Sequence, residues 1–181
     1  PHLAPHRGVP VPGILGARPV LRGTADSYGG MSELDHEHND LPAARQHLLR
    51  STELGEHTGF PENRYRRCVA LARLRATDGD LDGAREVLDE AERLYMSDLS
   101  PNVRPIAALK TRVWLAQGRL DEALDWAREP RLSADADLRY PREFEHITLA
   151  RVLLARYTSD HSEHSRHEAV GLLERLLQAA E

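Results

Sequence analysis

Three alanines, Ala44, Ala84 and Ala123, stand 40 and 39 residues apart, each three residues after a leucine that follows a break in the chain. The breaks are Asn39-Asp40-Leu41, Gly79-Asp80-Leu81 and Gly118-Arg119-Leu120. Each separates two amphipathic stretches. A period of this size marks stacked helical hairpins, each too small to bury its apolar face alone. After the second break the apolar residues Leu81, Ala84, Leu88, Ala91 and Leu94 step by three, four, three and three, which is helical spacing. A small alanine just past the turn lets the two helices of a hairpin come close, where bulk would hold them apart.

Composition agrees with helices. From about Leu21 onward Leu, Ala, Glu and Arg dominate, all good helix formers, while Ile occurs three times and Phe twice. Longer breaks at Gly59-Phe60-Pro61, Ser100-Pro101 and Tyr140-Pro141 place Pro near a helix start, where its missing N–H costs least. The spacing predicts helix pairs at 22–38 and 41–57, 62–78 and 81–97, 102–117 and 120–128, and 141–157 and 166–180. The polar stretch 158–165 reads as a mobile loop. Residues 1–21 form a Pro-rich extended arm and 22–181 the helical repeat domain, since Pro1, Pro5, Pro10, Pro12 and Pro19 cannot sustain a helix. The last helix shows Leu172, Leu173, Leu176 and Leu177 where a terminal repeat is normally polar, so the domain reads as a piece of a longer array prone to self-association.

The same sequence excludes several functions. Cys68 is the single cysteine, which rules out an internal disulfide and fits a reducing, cytoplasmic setting. No apolar run is long enough for a membrane span, and the Pro- and Gly-rich start does not read as an export signal. A net charge of -5 argues against nucleic-acid binding by charge alone. The single lysine, Lys110, follows Leu109, so no Gly-Lys-Ser/Thr phosphate loop exists. His-Glu-x-x-His, Gly-x-Ser-x-Gly and Cys-x-x-Cys are also missing. The expectation is a protein that is not an enzyme and needs no cofactor or metal.

Leu71-Ala72, Gly79-Asp80-Leu81, Ala84 and Ala91 together resemble tetratricopeptide repeats. The stretches Asn39 to Leu48, Val113 to Ala127, Leu132 to Tyr140 and Arg142 to Ala155 are similar to the sensor region of large LuxR-family regulators of the MalT-like type. The resemblance spans about 22–181. It implies an all-α, right-handed superhelical solenoid of about four tetratricopeptide-like hairpins. It also implies a bacterial, cytoplasmic role in transcription regulation: binding a small-molecule inducer or a protein partner in the concave groove and controlling self-association. Members carry an ATP-binding module before the repeats and a helix-turn-helix after them, so this segment itself is expected to touch neither DNA nor membrane. The alternative is a stand-alone tetratricopeptide adaptor for an acidic or amphipathic peptide.

The candidate site is an arginine ladder. Arg73, Arg112 and Arg151 recur at 39 and 39 residues, each on a first helix. Residues three and four away are Val69, Ala70, Ala76 and Thr77 for the first rung, and equally non-acidic for the others, so no intrahelical ion pair can form. Each rung therefore pairs across the groove with an acid such as Glu33, Glu143 or Glu145, or grips a ligand. Arg66, beside Arg64, Tyr65 and Arg67, extends the ladder.

Other features read more plainly. Trp114 is expected in the core against Leu120 and Ala123. His161, His164 and His167, like His36 and His38, read as solvated rather than metal-binding, because ligands must converge from fixed elements. Cys68, among Val69, Leu71 and Leu74, reads as buried packing. Asp78, Asp80, Asp82, Asp89, Glu90 and Glu92 read as a solvated outer face.

Overall fold

A computed structural model describes residues 23–58, 64–95, 105–129, 133 and 142–179. Among them the chain folds as eight helices: α1 (Thr24–Glu37), α2 (Leu41–Thr58), α3 (Arg64–Thr77), α4 (Leu81–Leu94), α5 (Ile106–Ala116), α6 (Leu120–Ala127), α7 (Glu143–Asp160) and α8 (Glu163–Ala179). Consecutive helices pair as four hairpins, and the hairpins stack in chain order. The arm 1–21 and the prolines Pro61, Pro101 and Pro141 lie outside the described residues. The proline at the mouth of α5 is Pro105, in its N-cap position.

Each hairpin turns on one residue with left-handed backbone: Asn39 (φ 60°), Gly79 (φ 83°), Gly118 (φ 74°) and His161 (φ 51°). In the first three turns the next N–H reaches back five residues: Asp40 to the Asp35 carbonyl, Asp80 to Arg75 and Arg119 to Trp114, at 2.8–2.9 Å. These bonds satisfy carbonyls that a helix end would leave orphaned. Two of the turns then cap the following helix. The Ala43 N–H donates to Asp40 Oδ1 at 3.1 Å and the Gly83 N–H to Asp80 Oδ1 at 3.0 Å. A Cβ on Gly83 would fall 2.2 Å from Asp80 Oδ2, so a side chain there would force the Asp80 carboxylate out of the position it takes in this turn. Arg119 replaces the aspartate in the third turn, and α6 has no side-chain cap.

The fourth turn corrects the expected loop at 158–165. Thr158 to Asp160 complete α7 and Glu163 to Ser165 open α8, leaving only His161 and Ser162 between them. The polar residues there act locally: the Ser162 N–H donates to Asp160 Oδ1 at 2.8 Å, and the Ser162 carbonyl accepts from the Arg166 N–H at 3.1 Å.

Ala44, Ala84 and Ala123 are all fully buried, each inside its own hairpin. The first helices answer with Ser32, Ala72, Thr111 and Ala150, also buried and 40, 39 and 39 residues apart. One apolar cluster fills each junction between hairpins. Ala44, Leu48, Ala70 and Leu74 join the first two; Ala84, Leu88, Ile106 and Leu109 join the second and third; Ala108, Trp126, Leu149 and Val152 join the last two. Trp114 packs half-buried against that third cluster. The first hairpin has few large apolar residues and is laced by hydroxyls instead. Ser32 Oγ donates to the Ala44 carbonyl at 2.8 Å and Ser51 Oγ to the Ala25 carbonyl at 2.7 Å.

Two expectations about surfaces change. Leu172 is core, Leu176 is half-buried, and the exposed stripe of α8 is Val170, Leu173 and Leu177. The acids around α4 are bridges as well as a wet face. Asp78 pairs with Arg45 of α2, and the hydrogen bond holds its carboxyl below the usual range. Asp89 and Glu92 hold Lys110 of α5 at 2.7 and 2.6 Å; partial burial lowers the lysine's pKa, but these bonds outweigh it and keep it raised. Asp82 accepts from Gln117 at 2.9 Å. These contacts tie neighbouring hairpins, although exposed pairs of this kind contribute only about 0–1 kcal/mol each.

Candidate functional site

The ladder residues follow directly after the buried small residues of the first helices. Burying Ala72, Thr111 and Ala150 therefore turns Arg73, Arg112 and Arg151 to one shared side of the array. The same register in α1 carries Glu33, after Ser32. The column is thus one acid followed by three arginines, and every rung has different surroundings.

Glu33 meets Arg66 across the α1–α3 contact, 3.4 Å from its Nη2. Arg73 reaches back to α1, where its Nη2 donates to Glu37 Oε1 at 2.8 Å and to His36 Nδ1 at 3.2 Å. Arginine has no acceptor, so His36 Nδ1 accepts, and the neutral ring presents Nε2–H to Thr77 Oγ1, 3.2 Å away. The Thr77 hydroxyl in turn donates to the Arg73 carbonyl at 3.0 Å. His36, expected to be solvated, is therefore part of the ladder. Arg112 reaches forward to α7: its guanidinium carbon lies 3.8 Å from the centre of the Phe144 ring, and its Nε donates to Thr148 Oγ1 at 2.9 Å. Arg151 is exposed and has no hydrogen bond or ion pair among the described residues. Glu145 accepts from Arg142 at 2.9 Å, on its own helix start.

Arg73 and Arg112 both line one cavity of about 260 Å³. His36 shares its rim, and Ala72, Ala76, Leu88, Leu109 and Val113 form an apolar floor. Arg66, Glu33, Arg151 and Glu145 do not line it. Two guanidinium forks over an apolar floor suit a small anion or a hydroxyl-rich molecule, because planar donors recognise carboxylates and oxygens directionally.

His36, Glu37, Phe144 and Thr148 carry the ladder's chemistry, and a search at the repeat length misses them. Arg73 and Glu37, and likewise Arg112 and Thr148, are 36 residues apart. That is one repeat less one helical turn. Neighbouring first helices are offset by a turn, so the informative spacing is the repeat length minus three or four residues. A second open hollow of about 420 Å³ also escaped the sequence reading. Trp114, Trp126 and Lys110 line it, with Glu92, Glu122, Asp125 and Glu129 at its edge.

A family model described as the MalT-like TPR region matches residues 18–181. The chain belongs to that family. No curated protein and no solved structure matches the sequence. The MalT-like TPR region accounts for the four hairpins, and the match begins slightly before the boundary expected at residue 22. Repeats of this kind offer extended surfaces for interaction. Among the described residues, no helix of this MalT-like TPR region is long and apolar enough to cross a membrane.

Proposed function

We propose that this chain is the sensing and interaction segment of a MalT-like, LuxR-family transcriptional regulator. In this reading it works in a bacterial cytoplasm without catalytic chemistry of its own. Other modules of the regulator would handle ATP and DNA. The observation that carries the reading is the cavity between Arg73 and Arg112. There Arg73 is held by Glu37 and His36 of α1, and Arg112 sits over the Phe144 ring and donates to Thr148. A ligand bearing carboxylate or hydroxyl oxygens would take donors from both forks and bridge α3 to α5. Arg66 and Arg151 would extend that grip along the array, with Glu33 and Glu145 holding the flanking cations. Such a bridge binds one stacking of hairpins better than another and so shifts their populations. Self-association through the exposed α8 stripe would follow from that shift.

The test is a thermal-shift screen of small sugars, hydroxy acids and dicarboxylates, with acidic peptides beside them, on the wild type and on Arg112→Ala. Support is a ligand that raises Tm in the wild type and loses its effect in Arg112→Ala. The reading collapses when no small ligand shifts Tm, or when Arg112→Ala loses stability and keeps full binding. An acidic peptide binding in place of every small molecule moves the chain to the adaptor reading.

A further inference from the structure

α3 has two charged faces. Each helical residue turns by about 100°, so Arg64, Arg67, Cys68, Leu71 and Arg75 lie on the side opposite Arg66 and Arg73. The side away from the ladder borders a second and larger cleft, between α2 and α3 with Glu90 of α4 at its edge, of about 720 Å³. Cofactor and ligand sites typically occupy about 300–1,000 Å³. Leu48, Leu49, Leu71 and Leu74 line its middle. Leu49 and Leu71 stay exposed there.

Arg45, Arg64, Arg67 and Arg75 line its walls with Asp78 and Glu90, and each guanidinium is ion-paired, with Asp78, Glu90, Asp26 and Asp80 in turn. The first turn of α3 carries Arg64, Arg66 and Arg67 with no acid, at the pole of a helix that already favours negative charge. The two ends of the cleft are not equivalent. At one end Arg45 is bound to Asp78, and Arg75 donates to the Gly83 carbonyl at 3.2 Å. At the other, Arg67 is folded against Gly55 and lies 3.7 Å from Asp26. Arg64 is the most open of the four, with its side chain 61% exposed and a long 3.4 Å contact to Glu90. Between Arg45 and Gly55 the cleft runs along about 15 Å of helix.

We propose that this outer cleft binds a long-chain aliphatic carboxylate, its chain on the leucines and its carboxylate on Arg64 at the start of α3. The apolar middle takes the chain, and Arg64, the most open guanidinium, whose contact to Glu90 is a long 3.4 Å, takes the head. A ligand that ends inside the cleft leaves the Arg45–Asp78 bridge intact, whereas a peptide threading through displaces it. This site is separate from the first-helix cavity and does not rest on the function proposed for that cavity.

Cys68, the sole cysteine of the chain, lines this cleft and reports its occupancy. It is half-buried rather than sealed in the core, and burial raises its thiol pKa. The experiment measures maleimide labelling of Cys68 in the full chain with dodecanoate below its micelle concentration, and with dodecanol and an acidic amphipathic helical peptide as comparisons. Dodecanoate is expected to slow labelling saturably. Arg64→Gln, an exposed change that leaves the fold intact, is expected to raise the half-saturating concentration about tenfold. Leu71→Trp fills the cleft and abolishes protection, with circular dichroism verifying its fold. Arg112→Ala leaves protection unchanged. The proposal is overturned by unprotected labelling in dodecanoate, by dodecanol protecting as well as dodecanoate with Arg64→Gln neutral, or by protection from the peptide alone.

Discussion

Arg112 sits over the face of Phe144, its guanidinium carbon 3.8 Å from the ring centre, while its Nε donates to Thr148 one turn further along α7. The Thr148 hydroxyl accepts that bond and itself donates a hydrogen bond to the Phe144 carbonyl at 2.8 Å. Two neighbouring first helices are therefore joined by a cation–π contact and a directed bond. The equivalent Arg73 is joined to its neighbour α1 by an ion pair and an imidazole.

The Arg112–Phe144 contact depends on a planar group. Arg112→Ala should cost about 1–2 kcal/mol, from the stacking and the partly buried hydrogen bond together. Arg112→Lys should recover little of that, because an ammonium has no plane and no Nε at the right place. Arg151→Ala, on an exposed rung, should stay within about 0.5 kcal/mol of the wild type. Urea unfolding of the three variants checks the ranking, and a harmless Arg112→Ala refutes it.

The turns give a backbone test. A Cβ on Gly118 meets nothing within 4 Å, so Gly118→Ala registers only the cost of left-handed backbone. That cost should be about 1–2 kcal/mol. His161→Gly should be neutral or slightly stabilising, since relief at φ 51° is offset by loss of the ring's contact with Tyr157. Thermal unfolding of both variants checks this: a clear loss in Gly118→Ala beside an unchanged or slightly raised Tm in His161→Gly is the expected outcome.

At the α4 cap a substitution should reverse sign with its background. Gly→Ala in a helix is ordinarily favourable by about 0.5–1 kcal/mol. Gly83→Ala should instead destabilise, because the new methyl collides with the Asp80 carboxylate that caps α4. Asp80→Ala alone should cost about 1 kcal/mol. In the Asp80→Ala background only the flexible end of Arg75 stays within 2.7 Å of the new methyl, so adding Gly83→Ala should raise stability once that side chain swings aside. A double-mutant cycle in urea measures this, and two additive losses would sink the account.

The hairpins were legible because their requirements fall on single residues. Only a small residue fits at Ala44, Ala84 and Ala123, and glycine is the ordinary choice for the left-handed turn at Gly79 and Gly118. The fourth turn stayed hidden because His161 takes the left-handed conformation without being glycine or asparagine. The ladder's residues were legible and its partners were not. Glu37 and Thr148 lie a helical turn away from the repeat spacing, an offset set by how the helices stack. The acids in and just before α4 look like a solvated face when read along the sequence. Their partners Arg45, Arg64 and Lys110 come from α2, α3 and α5, which only the stacking brings within reach. The outer cleft is a space between helices and has no signature of its own in the chain.

His146 should make the stability of the fold depend on pH near neutrality. It is fully buried in α7; its Nδ1–H donates to the Arg142 carbonyl at 2.9 Å, and its Nε2 is buried with no hydrogen-bond partner among the described residues. Protonation would place a second N–H at that unpartnered position. Burial lowers the pKa below 6.5, and the Arg142 carbonyl bond only partly opposes it; nearby Arg142 and Arg175 also lower it, while Glu145 raises it. At acidic pH the unfolded chain therefore binds a proton that the native chain resists. The contribution of His146 is complete above its unfolded pKa and shrinks as pH falls below it, by at most about 1.4 kcal/mol per pH unit. The lowered carboxylates Asp78 and Glu122 titrate below this window. His146→Gln keeps a side-chain donor and removes the titration. The stability difference between wild type and His146→Gln, followed by urea unfolding from about pH 7 to pH 5, should shift in favour of the variant as pH falls. A difference that does not change with pH would mean that the His146 ring is protonated without penalty in the folded chain.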